Sequence, residues 1–206
     1  TITLKNIQKD STLFVSAAYK YYIPGTLQAT GPGGGTNCNT GGLMFNLKPK
    51  VPMNLDSISS HFKTSGPQTV LIYMKKGSYS GYESNPSAWK LLDTIKLTSP
   101  AAGIYATIKL PHPAILEKDT LYSIYLNYDI AYTYTTLYDT FNTKDLSMSG
   151  NAGLCGSFSS PTPYHVFVGK IFYSAYKFCE SERVNYSLKI EKSPVINIGK
   201  DTAYCA

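Results

Sequence analysis

The chain has 206 residues and a formal net charge of +6, with 43% apolar and only 16% charged residues. That length supplies one large domain or two small ones, and the composition excludes both a disordered chain and a coiled coil. No apolar run approaches the roughly 18 residues that a membrane-spanning helix needs.

In chain order, Thr1-Ile2-Thr3-Leu4 reads as the start of a strand rather than a signal peptide. With no initiator Met and an abrupt end at Cys205-Ala206, the sequence reads as a processed product or excised segment. Ala29 to Gly42 is glycine-rich and not strand-like. Val70, Ile72 and Met74 then share one face of a strand near 69–75. A single helical turn is expected after Asn85-Pro86, with Asn capping and Pro at the first helical position. Trp89, Leu91, Ile95 and Leu97 line the next strand, with Asp93 breaking the face and Trp89 expected buried. Ile104, Ala106, Ile108 and Leu110 alternate near 103–110, and Pro111-His112-Pro113 reads as a turn. Tyr122, Ile124, Leu126 and Tyr128 follow. Asn142 to Pro163 is the second stretch that lacks a strand pattern. Near the C-terminus Val184, Tyr186, Leu188 and Ile190 mark another half-buried strand. Many short strands between Gly/Pro turns make an all-β fold, a sandwich or jelly roll.

The basic balance comes from 18 lysines and the single Arg183. Nucleic-acid binders cluster their basic residues and favour Arg forks. Here the lysines are spread out, with Lys75-Lys76 the one tight pair, so a solvated exterior is the better reading. The four cysteines (Cys38, Cys155, Cys179, Cys205) form no CxxC, and His61, His112 and His165 are isolated, so no zinc spacing exists. Their even number suggests disulfides in an oxidising compartment. Cys38 and Cys155 each sit amid glycines in one of the two non-strand stretches, and a bridge between them is the simplest account. Closing so long a loop would stabilise the fold by roughly 4–5 kcal/mol in the chain-entropy model.

Catalytic signatures are weak. Gly31-Pro32-Gly33-Gly34-Gly35 lacks the Gly-Lys-Ser/Thr of a phosphate loop. Gly77-Ser78-Tyr79-Ser80-Gly81 puts Ser at the wrong places for a nucleophile elbow. Glu83, Asp93, Asp129 and Asp139 offer carboxylates for glycoside hydrolysis only as scattered acids do by chance. No cofactor or metal is expected. Tyrosine is the one excess, with 18 residues. Six of them, from Tyr122 to Tyr138, read as sheet packing. Tyr79 and Tyr82 lie in a Gly/Ser loop and are the candidates for exposure and ligand contact.

Several separated motifs carry a resemblance: Asn39-Thr40-Gly41-Gly42-Leu43-Met44-Phe45-Asn46-Leu47, Ile72 to Asn85, Ala88-Trp89-Lys90-Leu91-Leu92, Gly153-Leu154-Cys155-Gly156-Ser157-Phe158 and Gly169-Lys170-Ile171-Phe172-Tyr173. Residues 28–176 resemble a β-sandwich module of large secreted and surface proteins of Bacteroidetes and other bacteria. In the flanks, Asp10 to Ala17 and Cys179 to Val184 resemble strands of the Ig-like repeats in type IX secretion substrates. Pro194 to Cys205 looks like the opening of the next repeat. The resemblance implies repeat strands at 1–27, the module at 28–176, a closing strand at 177–194 and a new repeat at 195–206. It also implies export, surface attachment and adhesion, as in the SprB-type adhesins of gliding bacteria, and no catalytic residues. In such an array Cys179 would pair upstream of Thr1 and Cys205 beyond Ala206, while a local Cys179–Cys205 bridge stays open.

The leading expectation is therefore a non-enzymatic extracellular adhesin module that acts as spacer or presents a ligand-binding surface. Its partners would be a surface polysaccharide or protein and the neighbouring domains of its own chain. Three rivals stand behind it. One is a carbohydrate-binding module using Tyr79, Tyr82 and Trp89. Another is a filament subunit whose Thr1–Tyr22 completes a neighbour's sheet. A glycosidase is the most distant.

Overall fold

The period-two patterns of the sequence become strands along most of the chain. The computed structural model describes residues 9–15, 17–30, 41–101, 104–128, 130–131, 133–134, 140–162 and 165–190. Eight strands come first: β1 (Ser11–Val15), β2 (Ala18–Ala29), β3 (Leu43–Pro49), β4 (Met53–Phe62), β5 (Gly66–Lys76), β6 (Lys90–Ser99), β7 (Tyr105–Leu116) and β8 (Tyr122–Asn127). Three short ones follow, β9 (Ile130–Ala131), β10 (Thr133–Tyr134) and β11 (Phe141–Asn142), and then β12 (Leu146–Leu154). The series closes with β13 (Pro161–Thr162), β14 (His165–Val166), β15 (Gly169–Glu180) and β16 (Val184–Leu188). Among the described residues the only helical piece is one 3-10 turn at Pro86–Ala88. No helix there is long and apolar enough to cross a membrane.

Two compact units divide the chain: one spans 20–177, the other combines 1–19 with 178–206. The first is a β-sandwich. One sheet has the order β11-β12-β3-β8-β5-β6, with β13 on β12; the other has the order β2-β15-β4-β7, with β9 on β4. Alternation sends Phe45, Leu47, Val70, Ile72, Ile124 and Leu126 inward from the first sheet. Leu55, Ile58, Phe62, Ile108 and Ile171 meet them from the second, and Phe45 packs on Phe167 at 4.9 Å between ring centroids. Both inner faces are apolar, so burial rather than backbone propensity holds the layers together.

Three segments depart from the sequence reading. Pro111-His112-Pro113 is not a turn: β7 runs through it, and its pairing with β4 jumps from Ala114 opposite Leu55 to Lys109 opposite Ser57. The prolines have no N–H for the ladder, so these residues bulge outward on an edge strand, where that loss is tolerated. The glycine-rich stretch after Asn142 is also not all loop, because β12 passes through Gly150-Asn151-Ala152-Gly153. Gly150, at φ +63°, forms a bulge against β3, and Gly153 lets the His165 ring come so close that a Cβ would meet it at 2.7 Å. In β6 a bulge at Leu92 shifts the phase, since Asp93 faces Ile72 but Leu91 faces Tyr73. Leu91 therefore points to solvent and Leu92 packs on the core.

The second unit contains the antiparallel pair β1–β16, in register from Ser11 opposite Leu188 to Val15 opposite Val184. The strand expected near 184–190 is present, yet Val184 and Tyr186 are exposed rather than half-buried. Cys38 and Cys205 lie outside the described residues. Cys179 is an exposed free thiol, whereas Cys155 is not free.

Candidate functional site

β8 lies at the middle of its sheet, and both its faces are covered. Tyr122, Ile124 and Leu126 face the sandwich core, while Tyr125 faces outward into a second cluster with Met44, Tyr79, Trp89, Ala152 and Leu154. The cover is the loop between β5 and β6. Gly77 starts it at φ +88°, with its N–H donating to the Leu121 carbonyl at 2.8 Å. Tyr79 N–H reaches Asn46 Oδ1 at 3.4 Å, and Ser123 Oγ lies 2.7 Å from both Asn46 Oδ1 and the Gly77 carbonyl. Trp89 Nε1 donates to the Tyr82 carbonyl at 3.0 Å, closing the loop on itself. Asn85 does not cap the 3-10 turn with its side chain; its Oδ1 accepts from the Ser87 hydroxyl at 2.7 Å instead.

Beneath this loop the rings of Tyr73, Tyr125 and Phe158 pack with centroid separations of 5.0 to 5.6 Å. Tyr125 donates its hydroxyl to the Gly41 carbonyl, and burial pushes its pKa up to about 12. The loop is thus a fixed wall on a rigid sheet, which is the arrangement that suits a binding surface.

The two candidate tyrosines part company here. Tyr79 is buried at 8% exposure, because its ring is the plug that seats the loop on the sheet, so the expectation of exposure fails for it. Tyr82 is 45% exposed, and Lys75 Nζ stands 4.3 Å from its ring centroid. Trp89 is buried, as expected, but at the end of the 3-10 turn rather than within a strand.

Two depressions flank the loop. A smaller one, about 190 Å³, is lined by Tyr79, Ser80, Glu83, Ala152 and Thr162 among others. A larger, open groove of about 580 Å³ runs between Met74, Lys75, Lys76, Ala88 and Lys90 on one side and Ile115, Glu117 and Tyr122 on the other. Lys75 Nζ is held by the carbonyls of Ser78 at 2.6 Å and Lys76 at 3.2 Å, and burial lowers its pKa. Lys76 pairs with Glu117 at 2.7 Å, which raises the lysine's pKa and lowers the carboxyl's.

Of the scattered acids, Glu83 lines the smaller cavity, and Asp93 Oδ1 accepts the N–H of Thr94 at 2.7 Å. Asp129 and Asp139 lie outside the described residues. No group of three or more metal-ligating side chains occurs among the described residues. The groove was missed in the sequence except for the Lys75-Lys76 pair, since Ile115 and Glu117 reach it from β7 and the turn beyond. No protein-family model matches the chain, and no curated protein matches it.

Proposed function

We propose that this chain is a non-enzymatic β module of a large secreted, cell-surface adhesin, exported by type IX secretion and serving adhesion or gliding as spacer or ligand-presenting domain. In this reading the sandwich is inserted in an Ig-like repeat whose strands include β1 and β16. One observation carries it. The sandwich is entered through β2 and left through β15, which are neighbours in one sheet, and β1 and β16 pair with each other. A domain whose chain ends emerge side by side can be set between two strands of another β domain without breaking either fold. The Cys38–Cys155 bridge belongs to the same proposal: Cys155 is not a free thiol, whereas Cys179 is.

The ligand in this reading is a surface polysaccharide or a protein, met by the loop that presents Tyr82. Exposure of that ring favours the carbohydrate-binding alternative as a second reading, now resting on Tyr82 rather than on a platform of three rings. The test is surface labelling of intact cells that produce the full-length protein, followed by their attachment to coated surfaces. Labelling before lysis and loss of attachment on deletion of 20–177 support the proposal. A protein reached only after lysis overturns it.

A further inference from the structure

The groove between the β5–β6 loop and β7 has a composition of its own. Of the 18 lysines otherwise spread over the chain, Lys75, Lys76 and Lys90 meet at this one depression. Glu117 is the only acid in its lining, and Lys76 occupies it. Lys75 is fixed by two carbonyls and the Tyr82 ring, and neither it nor Lys90 has a carboxylate partner among the described residues. Between the lysines the surface is apolar, with Met74, Ala88 and the Ile115 side chain, which is 66% exposed.

We infer that this groove binds an acidic polysaccharide, seating the carbon face of a uronic-acid residue on Ile115 and Met74 and its carboxylate against Lys90 and Lys75. The inference rests on the adhesin reading and names its ligand class. Charge complementarity selects the occupant: the Lys75 and Lys90 ammonium groups, without carboxylate partners among the described residues, stand beside an apolar strip and match a ring that is apolar on one face and anionic at its edge. The groove is open along its length, which suits one residue of an extended chain and gives an alkyl tail little shelter from water. Such a contact is weak singly and gains strength when modules repeat along a chain.

The test uses the purified 206-residue chain in affinity electrophoresis and calorimetry, with polygalacturonate oligomers as probe and neutral dextran oligomers, polyglutamate and laurate as comparisons. Retardation by polygalacturonate alone is expected, with binding weakened about fivefold by Lys75→Met and by Lys90→Met. Ile115→Ser should weaken it comparably without moving the thermal transition, because that side chain is already solvated. Lys96→Met, with the same loss of charge at a position on β6 outside the groove, should leave it unchanged. Equal loss in Lys96→Met, tighter binding of polyglutamate or laurate, or no binding of polygalacturonate overturns the assignment. Cell-surface labelling is read independently, so a silent groove on a surface-exposed protein refutes the groove alone.

Discussion

The indole N–H of Trp89 and the carbonyl of Tyr82, 3.0 Å apart, tie the end of the β5–β6 loop to its middle. That bond points the indole inward and leaves the Tyr82 ring outside. Trp89→Phe keeps an aromatic plug but loses the indole bond, while the Tyr82 carbonyl still accepts the Asn85 N–H at 3.2 Å. The substitution should cost about 1 kcal/mol in urea unfolding. Trp89→Ala should cost about 3–5 kcal/mol, through the cavity left among Tyr125, Phe158 and Tyr79. Because the chain has one tryptophan, its emission reports this loop directly. It should resist soluble quenchers in the native protein and become accessible in a single transition with unfolding.

Tyr125 makes the fold sensitive to alkali. Burial raises its pKa from 10.0 to about 12, so the native state keeps the phenolic proton over a range in which the unfolded chain has lost it. The stabilisation is complete below pH 10 and is lost as pH rises through about 12, by about 3 kcal/mol in all. Burial shifts Tyr128, Tyr173 and Tyr176 in the same direction. Tyrosinate absorbance should therefore develop in two stages, the later one coinciding with loss of near-ultraviolet dichroism. Tyr125→Phe should flatten the alkaline decline while costing about 1 kcal/mol at neutral pH, since the Gly41 carbonyl loses its donor. A decline of equal steepness in that variant would assign the effect to other tyrosines.

Gly153 and Gly81 show a division of roles that their substitutions should follow. At Gly153 an added Cβ would lie 2.7–2.9 Å from three His165 side-chain atoms, with that ring itself wholly buried. Gly153→Ala should cost about 2–3 kcal/mol by overpacking. At Gly81 an added Cβ meets nothing, but φ is +83°, so Gly81→Ala should cost only about 1–2 kcal/mol of backbone strain. Thermal unfolding of the two variants separates them. A milder effect at Gly153 would mean that the β12 backbone shifts readily.

This division also explains where the sequence misleads. Alternation located β5, β8 and most of β7, because a strand with one buried face writes its period into the residues at Val70-Ile72 and Ile124-Leu126. Glycine around 150–153 is read as loop when no neighbour is known, yet there it serves a bulge and a close ring contact, both tertiary demands. The phase error at Leu91 has the same origin: one inserted residue reverses the faces, and only pairing with Tyr73 and Ile72 reveals it. Tyr79 sits among Gly and Ser like an exposed ring, but the sheet beneath it offers Tyr125 and Met44 as partners. The groove was legible only as Lys75-Lys76, because its opposite wall is contributed some forty residues later in the chain.

The division into two units gives the last prediction. Residues 20–177 contain nearly all of both sheets and every described residue of the apolar core, whereas the described strands of the other unit form one two-stranded ribbon with Phe14 and Tyr186 exposed. A lone ribbon is marginal in water, but a double-layered core of this size folds by itself. The 20–177 segment made alone should keep the near-ultraviolet dichroism and the cooperative transition of the full chain, with its midpoint lowered by no more than a few degrees. Under non-reducing conditions peptide mapping of this segment should recover Cys38 joined to Cys155, and reduction should lower its stability by about 2–5 kcal/mol. A segment that unfolds without cooperativity would show that the terminal strands are part of the sandwich's stability. Recovery of both cysteines as free thiols in a folded segment would remove the bridge from the proposal while leaving the sandwich intact.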